Sequence, residues 1–592
     1  MARLCLFVSL VTCLLFQDAV GFQFSILHTN DVQSRFEETD QKGNECTEKD
    51  KNENSCVGGF ARMKTFIDKT RADNDHVLLL DAGSQYTGTL WFYVYGGSLV
   101  AKFMNLLGYD AMSLGNHEFD SGSKGLLPLL NDANFSILGA NINASLDPYL
   151  SGKINASWVF SMMVNSEEEK VGVVGYISTD TANISKPGDK IEFYDEIESI
   201  QKEVDRLKTM GVNKIIALGH SGFKKDLEIA EKVNGVDVVI GGQTNTFLYN
   251  GTAPSTEKPQ GPYPHVVTRE DGSKVLVVQA YALGKYVGFL TVSFNASGNL
   301  DWWKGNPVLM DNSTQEDADI LKEMEPYKAN VSNFAKESAG TTHVPLEADA
   351  KVCRKRECNL GNVITDALVW ENIGTSNASG WNHVAMAIFN SGGIRRSIGK
   401  GDVNMRNVIN TLPYLDTMDI IMLKGMYLKE VFTHSSSKYH SVFGGFLQVS
   451  GIKVKYAMHK PVDQRVEELL VRCHDCDIPE YRPVDDEKVY PIVTPSFLAN
   501  GGDGYMVLKH KSSSRTSTDK RISDILAKYL RSRTPVTTGL EGRITMVAKD
   551  APWCLCWSNQ DCPCPSSAST VSMTSLLFSV VSSAFVMFVS GG

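Results

Sequence analysis

The chain has 592 residues, 42% hydrophobic and 21% charged. These proportions suit a globular protein with a sizeable core, and the length suits two or more domains. Its 58 basic residues stand against 68 acidic ones, a net charge of −10, and no long basic block appears, which argues against a nucleic-acid backbone as partner.

Arg3, the apolar run from Leu4 to Phe16 and the small residues Ala19-Val20-Gly21 read as a secretory signal peptide over 1–21. Glycosylation sequons at Asn134, Asn143, Asn155, Asn183, Asn250, Asn295, Asn312, Asn330 and Asn377 agree with secretion. So do the cysteines. Beyond Cys5 and Cys13 they fall in close groups: Cys46 with Cys56, Cys353 with Cys358, Cys473 with Cys476, then Cys554 to Cys564. In an oxidising compartment such spacing reads as disulfides.

From 22 to 311, short apolar runs each end in polar residues or glycine. Phe24-Ser25-Ile26-Leu27 leads to His28-Thr29-Asn30-Asp31, and Val77-Leu78-Leu79-Leu80 to Asp81-Ala82-Gly83-Ser84. Ile215-Ile216-Ala217-Leu218 leads to Gly219-His220-Ser221-Gly222, and Val236 to Ile240 leads to Gly241-Gly242-Gln243. Helical spacing lies between them, as at Ile197, Ile200, Val204 and Leu207. Strands alternating with helices predict an α/β domain whose ligands sit beyond the carboxyl ends of the strands. Asp31, Ser84, Asn116, His220 and Gln243 would then converge.

The densest chemistry is Ser113-Leu114-Gly115-Asn116-His117-Glu118-Phe119-Asp120. Gly115 permits a tight turn, Asn116 offers a neutral oxygen, and His117 can move a proton near neutral pH. Asp120 can fix the tautomer of that imidazole.

Residues 312–339 read as a solvated linker helix that Pro326 would break or kink. The second domain, 340–546, carries Cys353-Arg354-Lys355-Arg356-Glu357-Cys358, Asn390-Ser391-Gly392-Gly393-Ile394-Arg395, Tyr414, and Phe497-Leu498-Ala499-Asn500-Gly501-Gly502-Asp503-Gly504. Arginine forks suit phosphate and paired aromatics suit a nucleobase, so jointly they favour a nucleotide site. A cysteine- and proline-bearing stalk, 547–568, precedes small residues and the apolar run Leu576 to Val589, and 569–592 reads as a lipid-anchor (GPI) signal.

Over Ile26 to Met546 the chain resembles the ecto-5'-nucleotidase family, through Leu27-His28-Thr29-Asn30-Asp31, Gly115-Asn116-His117-Glu118, Gly219-His220-Ser221-Gly222 and Phe497 to Gly504. The resemblance implies an N-terminal metallophosphoesterase-like α/β sandwich built for two metals, zinc or another divalent ion. A linker helix and a C-terminal α/β substrate domain follow, the latter the dimerising part in the family. It places the family's metal ligands at Asp31, Gln33, Ser84, Asn116, His220 and Gln243, and its catalytic histidine and supporting aspartate at His117 and Asp120. Substrate-binding positions fall on Arg354, Asn390, Arg395, Tyr414, Phe497 and Asp503. The family pattern has histidine at Gln33, aspartate at Ser84 and histidine at Gln243. It also has two glycines at Leu415-Asp416 and a cysteine pair at Thr365 and Ala387. The Ser84 position carries the carboxylate that bridges two cations roughly 4 Å apart, and amides and hydroxyls are poor substitutes for imidazole and carboxylate at zinc. Of the six, Asp31, Asn116 and His220 remain. The expectation is a cell-surface, GPI-anchored homodimer that binds a nucleoside monophosphate or nucleoside, with hydrolysis lost or weakened. The alternative is an active enzyme releasing adenosine and phosphate from AMP.

Overall fold

A computed structural model of the chain describes residues 21–547, apart from 165, 296 and 374–380. The signal-peptide, stalk and anchor segments lie outside the described residues but for Gly21 and Val547, and so do Asn377, Cys5, Cys13 and the cysteines after Cys476.

The apolar runs of the first half become parallel strands in two sheets. Phe22–Thr29, Val77–Asp81, Ala111–Ser113 and Ser136–Leu138 lie side by side in that order, with Tyr286–Phe294 antiparallel against Phe22–Thr29. In the second sheet Lys274–Val278, Val238–Ile240, Lys214–His220 and Glu167–Ile177 run parallel, flanked by the antiparallel edges His265–Thr268 and Ser157–Val164. Ile26 sits opposite Leu78, and Val238 opposite Ile216.

Strand side chains alternate between faces, and each face has its own core. Ile26, Leu78, Leu80, Ile216, Leu218, Val238 and Ile240 meet between the sheets. Their neighbours Leu27 and Leu79 turn outward onto Phe60, Met63, Ile67 and Phe103 of the helices Phe60–Asp73 and Gly97–Leu107. Ala217 and Val239 turn onto Ile200, Val204, Leu207 and Ile229 of Glu196–Thr209 and Phe223–Lys232. Both faces are covered, which is why the strands read as continuous apolar runs rather than alternating ones. The result is a four-layer helix–sheet–sheet–helix sandwich.

The second half is another α/β unit. Its central sheet runs Leu447–Ser450, Met386–Asn390, Val489–Pro495, Thr417–Lys424, Ser514–Arg521. Helices Asn359–Trp370, Met405–Thr411 and Ile522–Ser532 cover one face. Helix Gly425–Ser437 and a small sheet containing Ile452–Tyr456 and Val466–Arg472 cover the other. Cys46–Cys56, Cys353–Cys358 and Cys473–Cys476 are disulfides, as their spacing predicted.

The helix Ala318–Lys336 departs from expectation. It runs unbroken through Pro326, and its Ile320, Met324, Val331 and Ala335 are buried rather than solvated. Asp317 caps it by accepting from the Ile320 N–H at 2.8 Å. Tyr327 packs edge-on against Tyr95 and Phe103, Lys102 pairs with Glu323, and Lys328 with Glu37 at 2.6 Å. A proline removes one hydrogen bond from a helix, and the packing along this face outweighs that loss.

The two α/β units also touch directly. Arg406 pairs with Glu45, Arg396 donates to Asn44, and the Tyr93 hydroxyl donates to Asp524. Lys186 reaches Asp416 at 3.0 Å.

Candidate functional site

The carboxyl-end convergence expected from the sequence is present in the N-terminal unit. Asp31, Ser84 and Asn116 follow three adjacent strands of the first sheet, while His220 ends a strand of the second and Gln243 follows its neighbour. His220 is 1% exposed. Its Nδ1 donates to the Ala82 carbonyl at 2.7 Å, and its Nε2 meets the Ser84 hydroxyl at 2.9 Å. Asp31 Oδ1 lies 3.5 Å from the same nitrogen. Asp31 Oδ2 accepts from the Asn30 side chain and the Gln243 backbone N–H, each at 2.9 Å. Asn116 is buried. Gln33 is turned toward Arg35, 3.5 Å from its guanidinium.

Four of these residues hold left-handed backbone: Asp31 (φ 52°), Gln33 (φ 52°), Ser84 (φ 61°) and Gln243 (φ 75°). Non-glycine residues seldom adopt this region, and where they do the surroundings over-determine them. Glu118 supplies that determination at Ser84. Completely buried, it accepts backbone N–H groups from Gly115, Ser84, Gln85 and Tyr86 at 2.7, 2.9, 2.7 and 3.0 Å. It thereby ties the loop after one strand to the loop after the next. The sequence marked Glu118 only as a carboxylate in a polar run; its position three residues after a glycine was the available signal. Gly115 itself has ordinary extended backbone (φ −102°), so the tight turn expected of it is absent. A Cβ there would lie 2.5 Å from Ser84 N and Oγ, so close loop approach is what requires glycine. Asp81 faces away, accepting from Thr29, Gln85 and Gly83, and burial raises its carboxyl to about 8 despite those donors.

His117 stands on the short 3-10 turn Asn116–Phe119. Its Nδ1 meets Asp120 Oδ2 at 2.7 Å, and Asp120 Oδ1 accepts from Ser185 at 2.8 Å. Burial opposes charging of the ring, but the Asp120 carboxylate, with smaller help from Glu118 and Asp31, lifts it to about 9.

His117 and Asp120 also line a cavity of about 450 Å³ whose other wall is the C-terminal unit. All six residues expected to touch a nucleotide line it: Arg354, Asn390, Arg395, Tyr414, Phe497 and Asp503. Arg354 follows the short helix Ala350–Cys353, inside the Cys353–Cys358 loop. Its Nε is buried with no partner among the described residues, and burial and then the neighbouring Arg395 charge lower its pKa. Asn390 ends a central strand and donates to Asp503 Oδ2 at 2.8 Å. Burial raises the Asp503 carboxyl. The Phe497 ring lies on Gly502, where a Cβ would stand 2.5 Å from it. Tyr414 lies nearly parallel to the His117 ring, centroids 6.2 Å apart. Ser185, Lys186, Leu415 and Asp416 also line the wall. Ser185 and Lys186 were not singled out from the sequence, because nothing local marks the loop after Glu167–Ile177 as facing the other domain.

A half-buried arginine beside an exposed one, a carboxylate held by an amide, and aromatic faces can together receive an anionic, hydroxyl-bearing, planar molecule. Residues 24–244 match the calcineurin-like phosphoesterase family model and 338–510 the 5'-nucleotidase C-terminal domain model. The chain is 46% identical to a 5'-nucleotidase of Bos taurus, over 90% of this chain and 93% of that protein. It is 47% identical to a snake venom 5'-nucleotidase of Gloydius brevicauda, over 90% of each. Among solved structures, a 5'-nucleotidase precursor from Thermus thermophilus superposes with a TM-score of 0.69 at 36% identity, over 89% of this chain and 99% of that one. With both family models matched in order and full-length relatives at this identity, the chain belongs to the 5'-nucleotidase family.

Proposed function

We propose that this protein binds a nucleoside monophosphate or nucleoside in the cavity between its two domains, and that its hydrolytic activity is lost or greatly weakened. The observation that carries the first half is the unpartnered, buried Arg354 Nε beside Arg395, in a cavity that also holds Asn390, Asp503, Tyr414 and Phe497. An orphaned guanidinium N–H is costly to bury unless an acceptor arrives.

The second half rests on the donor set at Asp31, Asn116 and His220. Relatives of this kind use divalent metals. Here one carboxylate and one imidazole are the only ionisable donors among the six positions, and the Ser84 hydroxyl already occupies His220 Nε2. Among the described residues, the only three His, Cys, Asp or Glu ligand atoms close enough to share an ion are those of Glu38, Cys46 and Cys56, whose cysteines are a disulfide. This set does not fit a pair of cations, which need a bridging anion between them. The same reading treats Gln33, Ser84 and Gln243 as replaced ligands and His117–Asp120 as a retained acid–base pair.

The second reading is an active 5'-nucleotidase, favoured by that 2.7 Å pair. Phosphate release from AMP with added zinc, together with metal analysis of the purified protein, separates the two. Brisk, chelator-sensitive turnover by the unaltered chain overturns the proposal. The triple change Gln33→His, Ser84→Asp, Gln243→His is expected to bring zinc binding and phosphate release up together. Calorimetric titration with AMP and adenosine tests the binding half.

The reading extends to a secreted, glycosylated, GPI-anchored homodimer. The sequon asparagines Asn134, Asn155, Asn250, Asn295, Asn312 and Asn330 are exposed, and Asn143 is half-buried. No helix among the described residues is long and apolar enough to cross a membrane.

A further inference from the structure

Resting on the nucleotide-binding reading, we propose that Asp416 reads the edge of the base and selects guanine over adenine. Asp416 lines the cavity together with Tyr414 and Phe497. One of its oxygens is saturated: Oδ1 accepts from the Ser496 hydroxyl at 2.6 Å, the Thr417 N–H at 3.0 Å and the Phe497 N–H at 3.2 Å, and it pairs with Lys186 Nζ at 3.0 Å. Oδ2 takes no donor among the described residues. The bond from the Phe497 backbone fixes this carboxylate beside one proposed stacking ring, and Tyr414, the other, is two residues away. Of the cavity's other two carboxylates, Asp503 already accepts from Asn390, and Asp120 is engaged by His117 and Ser185.

A planar base between the rings would therefore bring its edge toward a rigid anion with one free acceptor. Guanine presents two neighbouring donors there, N1–H and the 2-amino group. Adenine places the acceptor N1 beside its amino group, so a carboxylate that attracts the amino group repels the ring nitrogen. Hypoxanthine keeps N1–H and lacks the 2-amino group. A site built to receive a donor discriminates strongly against a ligand lacking it, because its own polar group is left unmatched. Lys186 serves as a positioning residue. It also donates to the Leu415 carbonyl at 3.1 Å, which locks the carboxylate and the loop from the opposite domain.

The test is calorimetric titration of the full chain with GMP, IMP and AMP, for the wild type, Asp416→Asn and Lys186→Met, with circular dichroism to verify folding. GMP is expected to bind about tenfold tighter than AMP, with IMP between. Asp416→Asn places an amide N–H where Oδ2 stood and is expected to abolish or reverse that order. Lys186→Met is expected to weaken all three ligands while keeping the order. AMP binding as tightly as GMP to the wild type, or a GMP preference unchanged in Asp416→Asn, overturns the assignment. Should Asp416→Asn fail to fold, GMP and IMP binding equally to the wild type overturns it. If none of the three binds, the nucleotide reading falls and this one with it. If all bind alike, only the base-edge assignment falls.

Discussion

Replacing Glu118 by glutamine tests whether one side chain holds the two loops of the N-terminal site together. Oε1 accepts from Gln85 and Tyr86, and Oε2 from Ser84 and Gly115. An amide has one oxygen, so whichever way the glutamine turns, its NH2 group confronts two backbone N–H donors. Each buried donor left without an acceptor costs about 1–3 kcal/mol, and Glu118 is fully buried. The expected loss is about 2–6 kcal/mol, a large share of an ordinary folding free energy. The variant should therefore show a lower urea midpoint with the slope unchanged. Amide hydrogen exchange at Ser84, Gln85 and Tyr86 should accelerate before that of the sheet cores. An unfolding free energy within about 0.5 kcal/mol of the wild type, with those three amides still protected, would refute the reasoning.

Three further outcomes are expected. Arg354→Ala should weaken AMP binding about 10- to 100-fold while leaving adenosine within a few-fold, since charge-assisted bonds to phosphate are what it removes; parallel titrations of the two ligands measure this. Tyr414→Ala should weaken AMP and adenosine alike by about 1–3 kcal/mol, the worth of a base on an aromatic face, readable in the same titrations. Asp226 is buried between Tyr176 and Gln279, and burial raises its carboxyl to about 7. A raised acid is protonated in the folded state and ionised in the unfolded one between about pH 4 and 7, so its contribution to stability is full at acid pH and is lost as pH rises through that window. Asp226→Asn should remove about 1.4 kcal/mol per pH unit of decline there, measured by denaturant unfolding at several pH values. An unchanged slope would contradict this account of the group.

Much of this was written in local pattern. Strand ends were legible because doubly covered strands are apolar throughout and stop abruptly at glycine or a polar residue, so Asp31, Ser84, Asn116, His220 and Gln243 could be placed beyond the carboxyl ends of strands before their contacts were known. The cavity residues of the C-terminal unit were legible by type: arginine next to glycine, aromatic next to carboxylate. What stayed hidden depends on which distant loops touch. Nothing near Lys186 announces Asp416, and nothing near Gly115 announces that Ser84 lies against it. The solvated, kinked linker was the instructive error. Proline and a polar composition describe a helix's intrinsic tendencies, whereas Ile320, Met324, Val331 and Tyr327 decide where it docks.

The left-handed residues at positions 31, 33, 84 and 243 have a consequence for how this scaffold can be altered. Such conformations cost on the order of 1–3 kcal/mol each, and here the main chain bears that cost whichever group projects from it. Chemistry at the sheet edge can thus be exchanged without rebuilding the loops: an empty socket keeps its shape when the fitting is removed. Laboratory redesign can begin from a frame already bent to the required curvature, and even distant changes to the ties that bend it will be felt there first.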